Sequence, residues 1–468
     1  MAESNDYKLL LSDIINLVDS NKEVPERNYL IGKCLVNYKQ DSNEDPLEEI
    51  SKTLNKRFGE GFGTSNLSDM MRFYRKFSYY PELEVYTKNL EWTKILELLK
   101  LESNDEINFY LKSIVKNKWS KKKLKEVISK NEYSNFIKKL DSGNYQYDIE
   151  KITITNFKSI EHIQIVKPPR FLVFAGANSC GKSNIFESLD FLIHTMRTNG
   201  GEAFGLFDGE KNIINFKAQI KEHDPINFDI KIELSDNIDF GFNYDGMNIK
   251  KEKSLSDRFN DQFTSSFSRT FISGSKTPPG ILKQTNKLDY DAKNLAEILK
   301  KILLVNDKRE DIIEWLSLFI PGLNNIEVEK NNLSGKEELA IFEKNSKNPI
   351  SGSLISDGTY NIISLLVLLY QSNQPQFLCI EEPENGLNPK LLKEFVELFR
   401  NVCEEEGHYI WLTTHSQTLV SQLKPSELVI VDKIDGETRI KRFSDSHIKN
   451  IRMDEAWINN LLEGGLPW

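Results

Sequence analysis

Eight residues, Gly176-Ala177-Asn178-Ser179-Cys180-Gly181-Lys182-Ser183, constrain this chain more than any other part of it. They satisfy G-x-x-x-x-G-K-[ST], whose chemistry needs a strand before it and a helix after it. Glycines let the backbone turn tightly and aim its N–H groups inward at a phosphate, and the N-terminus of the following helix faces the same anion. Phe171 to Ala175 is a continuous apolar run of the buried-strand kind, and Asn184 to Ile193 is helical in pattern, so both flanks are present. Gly176, Asn178, Ser179, Cys180, Gly181 and Asn184 are the expected lining of the site. Lys182 can reach the β- and γ-phosphates of a nucleotide, and the Ser183 hydroxyl can ligate Mg²⁺.

The rest of the chain supplies a matching frame. At 468 residues two or three domains are expected. Residues 5 to about 140 read as helices, from apolar spacing such as Leu9, Leu10, Ile14, Ile15 and Trp92, Ile95, Leu96, Leu98, Leu99. Gly59, Gly61 and Gly63 break that pattern before a helix that Ser65 or Asn66 would cap. Asp141 to Tyr147 reads as a linker, and Ile152 to Thr155 alternates like a strand. Asn212 to Gln219, Asn227 to Leu234 and Ile238 to Asn243 read as closely spaced strands of an antiparallel sheet, and 290 to 320 as helical. After Ser356 the order is helix, strand (Phe377 to Ile380), helix, strand (Tyr409 to Thr413), helix, strand (Leu428 to Val431), which is the α/β pattern. The expected division is 1–140, a linker at 141–148, and 149–468.

Phe377 to Ile380 ends in Glu381 and Glu382, which alone would read as a solvated strand end. Their surroundings change that. Glu381 to Pro389 (EEPENGLNP) resembles the Walker B and D-loop segment of the RecF/SMC-like ABC-type ATPases found in bacterial defence islands. Ile355 to Tyr360 (ISDGTY) resembles their signature motif, Thr413 to Ser416 (TTHS) their switch histidine, and Ile154 to Ile160 (ITNFKSI) their opening strand. The resemblance covers 149–468, with the ATP motifs in family order. It implies an α/β P-loop ATPase head with a mixed sheet, an antiparallel subdomain and a helical signature subdomain, preceded by an all-α domain. It implies ATP and Mg²⁺ as cofactors, with Glu381 joining Ser183 on the metal. Glu382 would act as general base, with His415 and Lys182 at the γ-phosphate. Ser356, Asp357, Gly358 and Thr359 would meet the γ-phosphate held by the opposite subunit. Asn385, Gly386, Leu387 and Asn388 form the D-loop. One P-loop and one signature per chain imply a homodimer with two composite sites. The chain departs from the pattern at Glu381, where Asp is commoner, and at Asn388, where many relatives carry Asp or His. The stretch between Ser183 and Ser356 has room for an arm but not for a long coiled coil, and the residues after His415 are too few for a Toprim nuclease.

The front segment has its own likeness. Asn28 to Lys33 (NYLIGK), Leu54 to Leu67 (LNKRFGEGFGTSNL), Met71 to Tyr74 (MRFY), Leu90 to Thr93 (LEWT) and Asn117 to Ser120 (NKWS) resemble the N-terminal domain of YhcG-type proteins. That domain accompanies a nuclease in its family; here the ATPase stands in the nuclease's place. Two readings are open. Arg72, Arg75 and Lys76 near a turn-helix unit, with Lys118, Lys121, Lys122, Lys123 and Lys125, make a DNA phosphate contact surface. Residues 111–140 carry ten lysines against two glutamates, a net +8, although the whole chain is at −9 and is no general polyanion binder. The other reading is a protein-docking or dimerisation module with a solvated basic face. Phe73, Tyr74, Phe77, Tyr79 and Tyr80 read as helix core rather than base-stacking groups.

Both likenesses together point to a sensor or regulator ATPase of antiviral defence, acting on a separately encoded effector such as a nuclease or toxin. A RecF-like DNA-repair ATPase and a nucleotide-clamped scaffold with negligible turnover are the alternatives. The four cysteines, Cys34, Cys180, Cys379 and Cys403, form no CxxC pair, so neither disulfide framework nor zinc site is supported. The polar start, Met1 to Asp6, does not read as a secretory signal, and no apolar run approaches membrane-spanning length. A cytoplasmic location without membrane contact is expected.

Overall fold

The computed structural model describes residues 5–20, 22–41, 46–78, 90–142, 147–198, 212–220, 227–234, 239–244, 255–272, 286–331, 335–344, 346, 348–446 and 451–464. Two compact units emerge, one built on 1–142 with 219–228 and 243–258, the other on 143–218, 229–242 and 259–468.

The first unit is helical: α1 (Asn5–Asp19), α2 (Val24–Asp41), α3 (Leu47–Phe58), α4 (Thr64–Phe77), α5 (Trp92–Leu98), α6 (Asn104–Asn117), α7 (Lys121–Ser129) and α8 (Glu132–Ser142). Helix α2 crosses α4 so closely that a Cβ on Gly32 would lie 2.0 Å from the Met70 carbonyl oxygen, which restricts the position to glycine. Ile14, Ile31, Leu54, Leu67 and Met70 close this core. The helix cap expected at Ser65 or Asn66 is instead at Gly63, with both residues inside the first turn. Asn66 serves elsewhere: its side chain donates to the Gly61 carbonyl and accepts from Trp92 Nε1 at 3.1 Å, pinning the glycine turn to α5. Phe73 and Phe77 are buried and stack edge-on at 5.0 Å, as core aromatics do; Tyr79 and Tyr80 lie outside the described residues. The segment read as a linker is shorter than expected, because α8 runs through Ser142 and the first strand begins at Tyr147.

In the second unit β1 (Tyr147–Phe157) and β2 (Ile160–Val166) form an antiparallel hairpin. They continue into β4 (Asn212–Ile220), β5 (Asn227–Leu234) and β6 (Asp239–Tyr244) in the order β2-β1-β4-β5-β6. The central sheet takes β3 (Phe171–Ala175), β7 (Phe267–Thr270), β11 (Phe377–Glu381), β12 (Tyr409–Thr414), β13 (Leu428–Ile434) and β14 (Glu437–Arg442), ordered β14-β13-β3-β12-β11-β7. All its pairs are parallel except β13 with β14. Strand β7 had no sequence signal: Phe-Ser-Arg-Thr is short and polar at three of its four positions, and it becomes a strand only by pairing with β11. A third sheet, β10-β9-β8, comprises β8 (Leu323–Lys330), β9 (Glu337–Glu343) and β10 (Ile350–Ser351).

Helices α9 (Lys182–Thr198), α10 (Leu255–Ser266), α11 (Leu295–Leu303), α12 (Asn306–Phe319), α13 (Asp357–Tyr370), α14 (Pro389–Glu405), α15 (Gln417–Val420) and α16 (Met453–Ile458) complete the unit. Helix α13 is apolar on nearly every face, and its residues 361–369 are all buried, the pattern of a helix enclosed by protein. Beside it Phe319 and Phe395 stack at 4.5 Å within a core reaching to Trp457. Among the described residues no helix is long and apolar enough to cross a membrane.

One buried imidazole makes this core pH-sensitive. His408 is 1% exposed, with Nε2 3.3 Å from Gln376 Nε2, and burial pushes its pKa down to about 4. The unfolded chain, with an ordinary histidine, binds the proton more readily, so this contribution is complete above about pH 6.5 and is lost as pH falls toward 4. By pH 5 the loss is about 2 kcal/mol. Denaturant melts at pH 7.5 and pH 5 should therefore show a smaller acid penalty in His408→Gln than in the wild type.

Candidate functional site

Strands β3, β12 and β11 lie side by side and parallel, so their C-terminal ends open at one edge, and the three motifs that follow them meet there. After β3 the chain turns through Ser179 at φ 62° and Gly181 at φ 104° into α9. Two glycines are fixed by space. A Cβ on Gly176 would stand 2.2 Å from the Val431 carbonyl oxygen, and one on Gly181 would stand 2.0 Å from Thr438 Oγ1. Lys182 is buried, its Nζ donating to the carbonyls of Gly176 at 2.9 Å and Ala177 at 2.8 Å. Cys180 is buried too, and burial raises its thiol. Asn178 and Ser179 are exposed at the tip of the loop.

A chain of small polar groups holds the loop from behind. Thr438 Oγ1 lies 3.0 Å from the Cys180 carbonyl, to which it donates, and 2.7 Å from Ser159 Oγ. Thr438 N donates to the Ser159 carbonyl at 2.7 Å. Asn184 Nδ2 donates to Ser159 Oγ at 2.7 Å, so this residue, expected to line the phosphate site, has its side chain engaged with the β1–β2 turn. Neither Thr438 nor Ser159 carried a sequence signal for this role, because the contacts join segments far apart in the chain.

At the end of β11, Glu381 is 6% exposed. Its Oε2 accepts from Ser183 Oγ at 2.6 Å, which puts the two expected metal ligands together. A hydroxyl and a carboxylate oxygen are the hard donors that Mg²⁺ takes in such sites, so the pair fits the ion. The next residue, Glu382, has φ 47°, a conformation few side chains adopt without support. The support is visible: Glu382 N donates to the Thr413 carbonyl at 3.0 Å, and Asn385 Nδ2 donates to Oε2 at 3.2 Å. Its Oε1 is 3.4 Å from His415 Nδ1. Glu384 accepts from Thr414 Oγ1 and from His415 N, at 3.4 Å for the latter, tying the histidine segment to the D-loop, and burial raises this carboxyl above its usual range. Sequence reading gave Glu384 no role, although it stands inside the EEPE run.

The signature residues gather on the D-loop of the same chain. Ser356 caps α13, its Oγ accepting from Thr359 N at 3.2 Å, and Asp357 is exposed in the first turn. A Cβ on Gly358 would come 2.5 Å from the Gly386 carbonyl oxygen, and Asn361 Nδ2 donates to the Asn385 carbonyl. Gly386 takes φ 75°, and Leu387 N donates to the Glu384 carbonyl at 3.0 Å. Asn388 acts locally, since its Oδ1 accepts from Leu391 N at 3.0 Å and caps α14 ahead of Pro389. Among the described residues no hydrogen bond or ion pair joins Ser356, Asp357, Gly358 or Thr359 to residues 176–184.

Comparisons with known proteins place the chain in a family. Residues 171–421, more than half of the chain, match the family described as "AAA domain, putative AbiEii toxin, Type IV TA system". The chain belongs to that family. Residues 14–135 match the DUF1016 N-terminal domain, which bears out the likeness read in the front segment. Curated relatives include the energy-coupling factor transporter ATP-binding proteins of Lactobacillus acidophilus, 27% identical over 184 residues, and of Lactobacillus gasseri, 26% identical over 149. Those alignments take in 36% and 30% of this chain and 59% and 49% of the relatives, so the chain spans about half the length of the curated relatives it matches. Among solved structures, the SMC head domain from Thermotoga maritima has a TM-score of 0.41 at 15% identity, covering 63% of this chain and 99% of that one. An Smc head domain derived from Pyrococcus furiosus, with an extended coiled coil and bound to the C-terminal domain of ScpA, has 0.43 at 14%, covering 68% and 99%. The family is that of ATP-binding ATPases of the ABC type.

In the AAA-domain unit the loop's rear support is open to test. Thr438→Val keeps the side-chain shape but deprives the Cys180 carbonyl of its donor, at a cost of about 1–3 kcal/mol. Denaturant melts should show that loss, and titration with a fluorescent ATP analogue should show weaker binding.

Proposed function

We propose that this chain is a Mg²⁺-dependent ATPase that closes two composite sites by homodimerisation and regulates a separately encoded effector in antiphage defence, in the cytoplasm and away from the membrane. The observation that carries the ATPase reading is the 2.6 Å contact between Ser183 Oγ and Glu381 Oε2, with Glu382 and His415 next to it. Ser183 and Glu381 would hold Mg²⁺, whose charge would offset the negative charge developing on the phosphate oxygens. Lys182, released from its own loop carbonyls, would carry its charge to the same oxygens. Glu382 would take the proton of the attacking water, with Asn385 fixing its Oε2 and His415 Nδ1 3.4 Å from its Oε1. Ser356 and the N-terminus of α13 would offer donors to the γ-phosphate of a partner chain. The Gly358–Gly386 contact supports this, because it binds the signature to the D-loop as one surface. Closure of two such surfaces would exclude water and complete each site.

For the front unit the geometry favours docking over DNA phosphate contact. Of the eight basic residues considered, Arg72 donates to the Leu99 carbonyl at 2.8 Å, and Lys76 donates to the carbonyls of Leu99 and Leu101. Lys121 and Lys125 pair with the buried carboxylate of Glu97 at 3.7 and 3.3 Å, and Lys123 with Glu126 at 3.4 Å. Among the described residues Arg75, Lys118 and Lys122 are left without a side-chain hydrogen bond or ion pair. Three unpaired charges make a weak, salt-sensitive DNA contact, whereas the effector offers a protein surface to the same unit.

Turnover of ATP by the purified chain, with Lys182→Ala as the blank, tests the core of the proposal. Glu382→Gln should lower turnover about 10²–10⁴-fold and accumulate an ATP-bound dimer visible by light scattering. Turnover indistinguishable from the blank would leave a nucleotide clamp. Turnover strongly raised by double-stranded DNA would return the front unit to DNA sensing.

A further inference from the structure

Glu381 has partners that the phosphate-site motifs do not include. Its Oε1 accepts from Arg269 Nε at 2.8 Å and from Tyr290 OH at 3.1 Å, and Arg269 Nη2 lies 2.6 Å away. Three donors exhaust the lone pairs of that oxygen, so only Oε2, the one facing Ser183, is free for a cation. Arg269 is itself immobilised. Its side chain is 2% exposed, Nη1 bonds Asp190 at 2.6 Å, Nη2 is 3.8 Å from Glu187, and the guanidinium lies 5.2 Å from the Tyr290 ring centre. Phe271 N donates to the Tyr290 carbonyl at 2.7 Å, holding that ring at the end of β7.

The charges around this arginine matter. One guanidinium faces the carboxylates of Glu381, Asp190 and Glu187, Lys158 pairs with Glu187, and Arg197 also faces Asp190. These charges hold Glu381 and Asp190 against the same arginine, which fixes the orientation of Glu381 by charge as well as by hydrogen bonds. Arg269 also sits on the strand by which the chain re-enters the central sheet after β4, β5, β6 and α10. Any shift of β7 against β11 would move Glu381.

We propose that Arg269 and Tyr290 are positioning residues for the metal site: together they lock Glu381 with Oε2 toward Ser183 and couple its orientation to strand β7. This rests on the reading of Ser183 and Glu381 as the magnesium ligands. Partners of a ligating carboxylate tune metal affinity about 10–100-fold.

The test uses the full chain with a non-hydrolysable ATP analogue and follows Mn²⁺ binding by electron paramagnetic resonance. Arg269→Met should weaken Mn²⁺ binding about 10–100-fold, with Arg269→Lys recovering part of it. Tyr290→Phe, which removes one hydrogen bond and keeps the ring packed, should weaken it about five- to tenfold and guards against misfolding of the arginine variants. Analogue binding in EDTA should keep the wild-type affinity in all three. Wild-type Mn²⁺ binding that is lost in Lys182→Ala but retained in Tyr290→Phe and a folded Arg269 variant overturns the positioning role alone. A wild-type chain without nucleotide-dependent Mn²⁺ binding overturns the metal-site reading, and this inference with it.

Discussion

The meeting of Ser183 and Glu381 depends on a constraint of sheet order. These residues are far apart in sequence, and their strands, β3 and β11, are not neighbours; β12 lies between them. Only because all three run parallel do a serine after one strand and a glutamate ending another reach the same edge. Parallel pairing buries both faces of these strands, which is why each reads as an uninterrupted apolar run rather than an alternating one. The hydrophobic effect thus fixes the frame, and the polar residues at the strand ends have little positional freedom left.

Within that frame the site is held by layers of polar contact, each reaching a different part of the chain. The loop is fastened by Thr438 and Ser159, the carboxylate by Arg269 and Tyr290, and the histidine segment by Glu384. Burying such groups is costly unless each is paired, so these contacts contribute little net stability and much geometric definition. The positive φ at Glu382 is the clearest sign that definition is favoured over local comfort. In the helical unit charge plays a different part. The buried carboxylate of Glu97 gathers Lys100, Lys121 and Lys125, and the carbonyls ending α5 take Arg72 and Lys76. A lysine-rich block can therefore be internal fastening, which a charge count along the chain does not distinguish from a surface for polyanions.

Chemistry that is local could be read from the residues alone. The glycine loop with Lys182 and Ser183, the paired carboxylates 381 and 382, the Thr-Thr-His-Ser segment and the capped start at Ser356 are each contiguous, and a few residues in each carry the reason for its role. The apolar periods likewise marked most helices and the buried strands, because burial imposes a pattern along the chain. What lies across the chain was settled only when the layers packed. Packing gave Phe267–Thr270 a place at the edge of the central sheet and so brought Arg269 to Glu381. It brought Thr438 behind Gly181, moved a helix cap from Ser65 or Asn66 to Gly63, and gave five of eight basic side chains partners within the chain. One cause underlies every case. A short polar strand, a threonine or an arginine has no preference strong enough to announce its partner, and the partner is chosen by which groups remain unpaired when the apolar layers close.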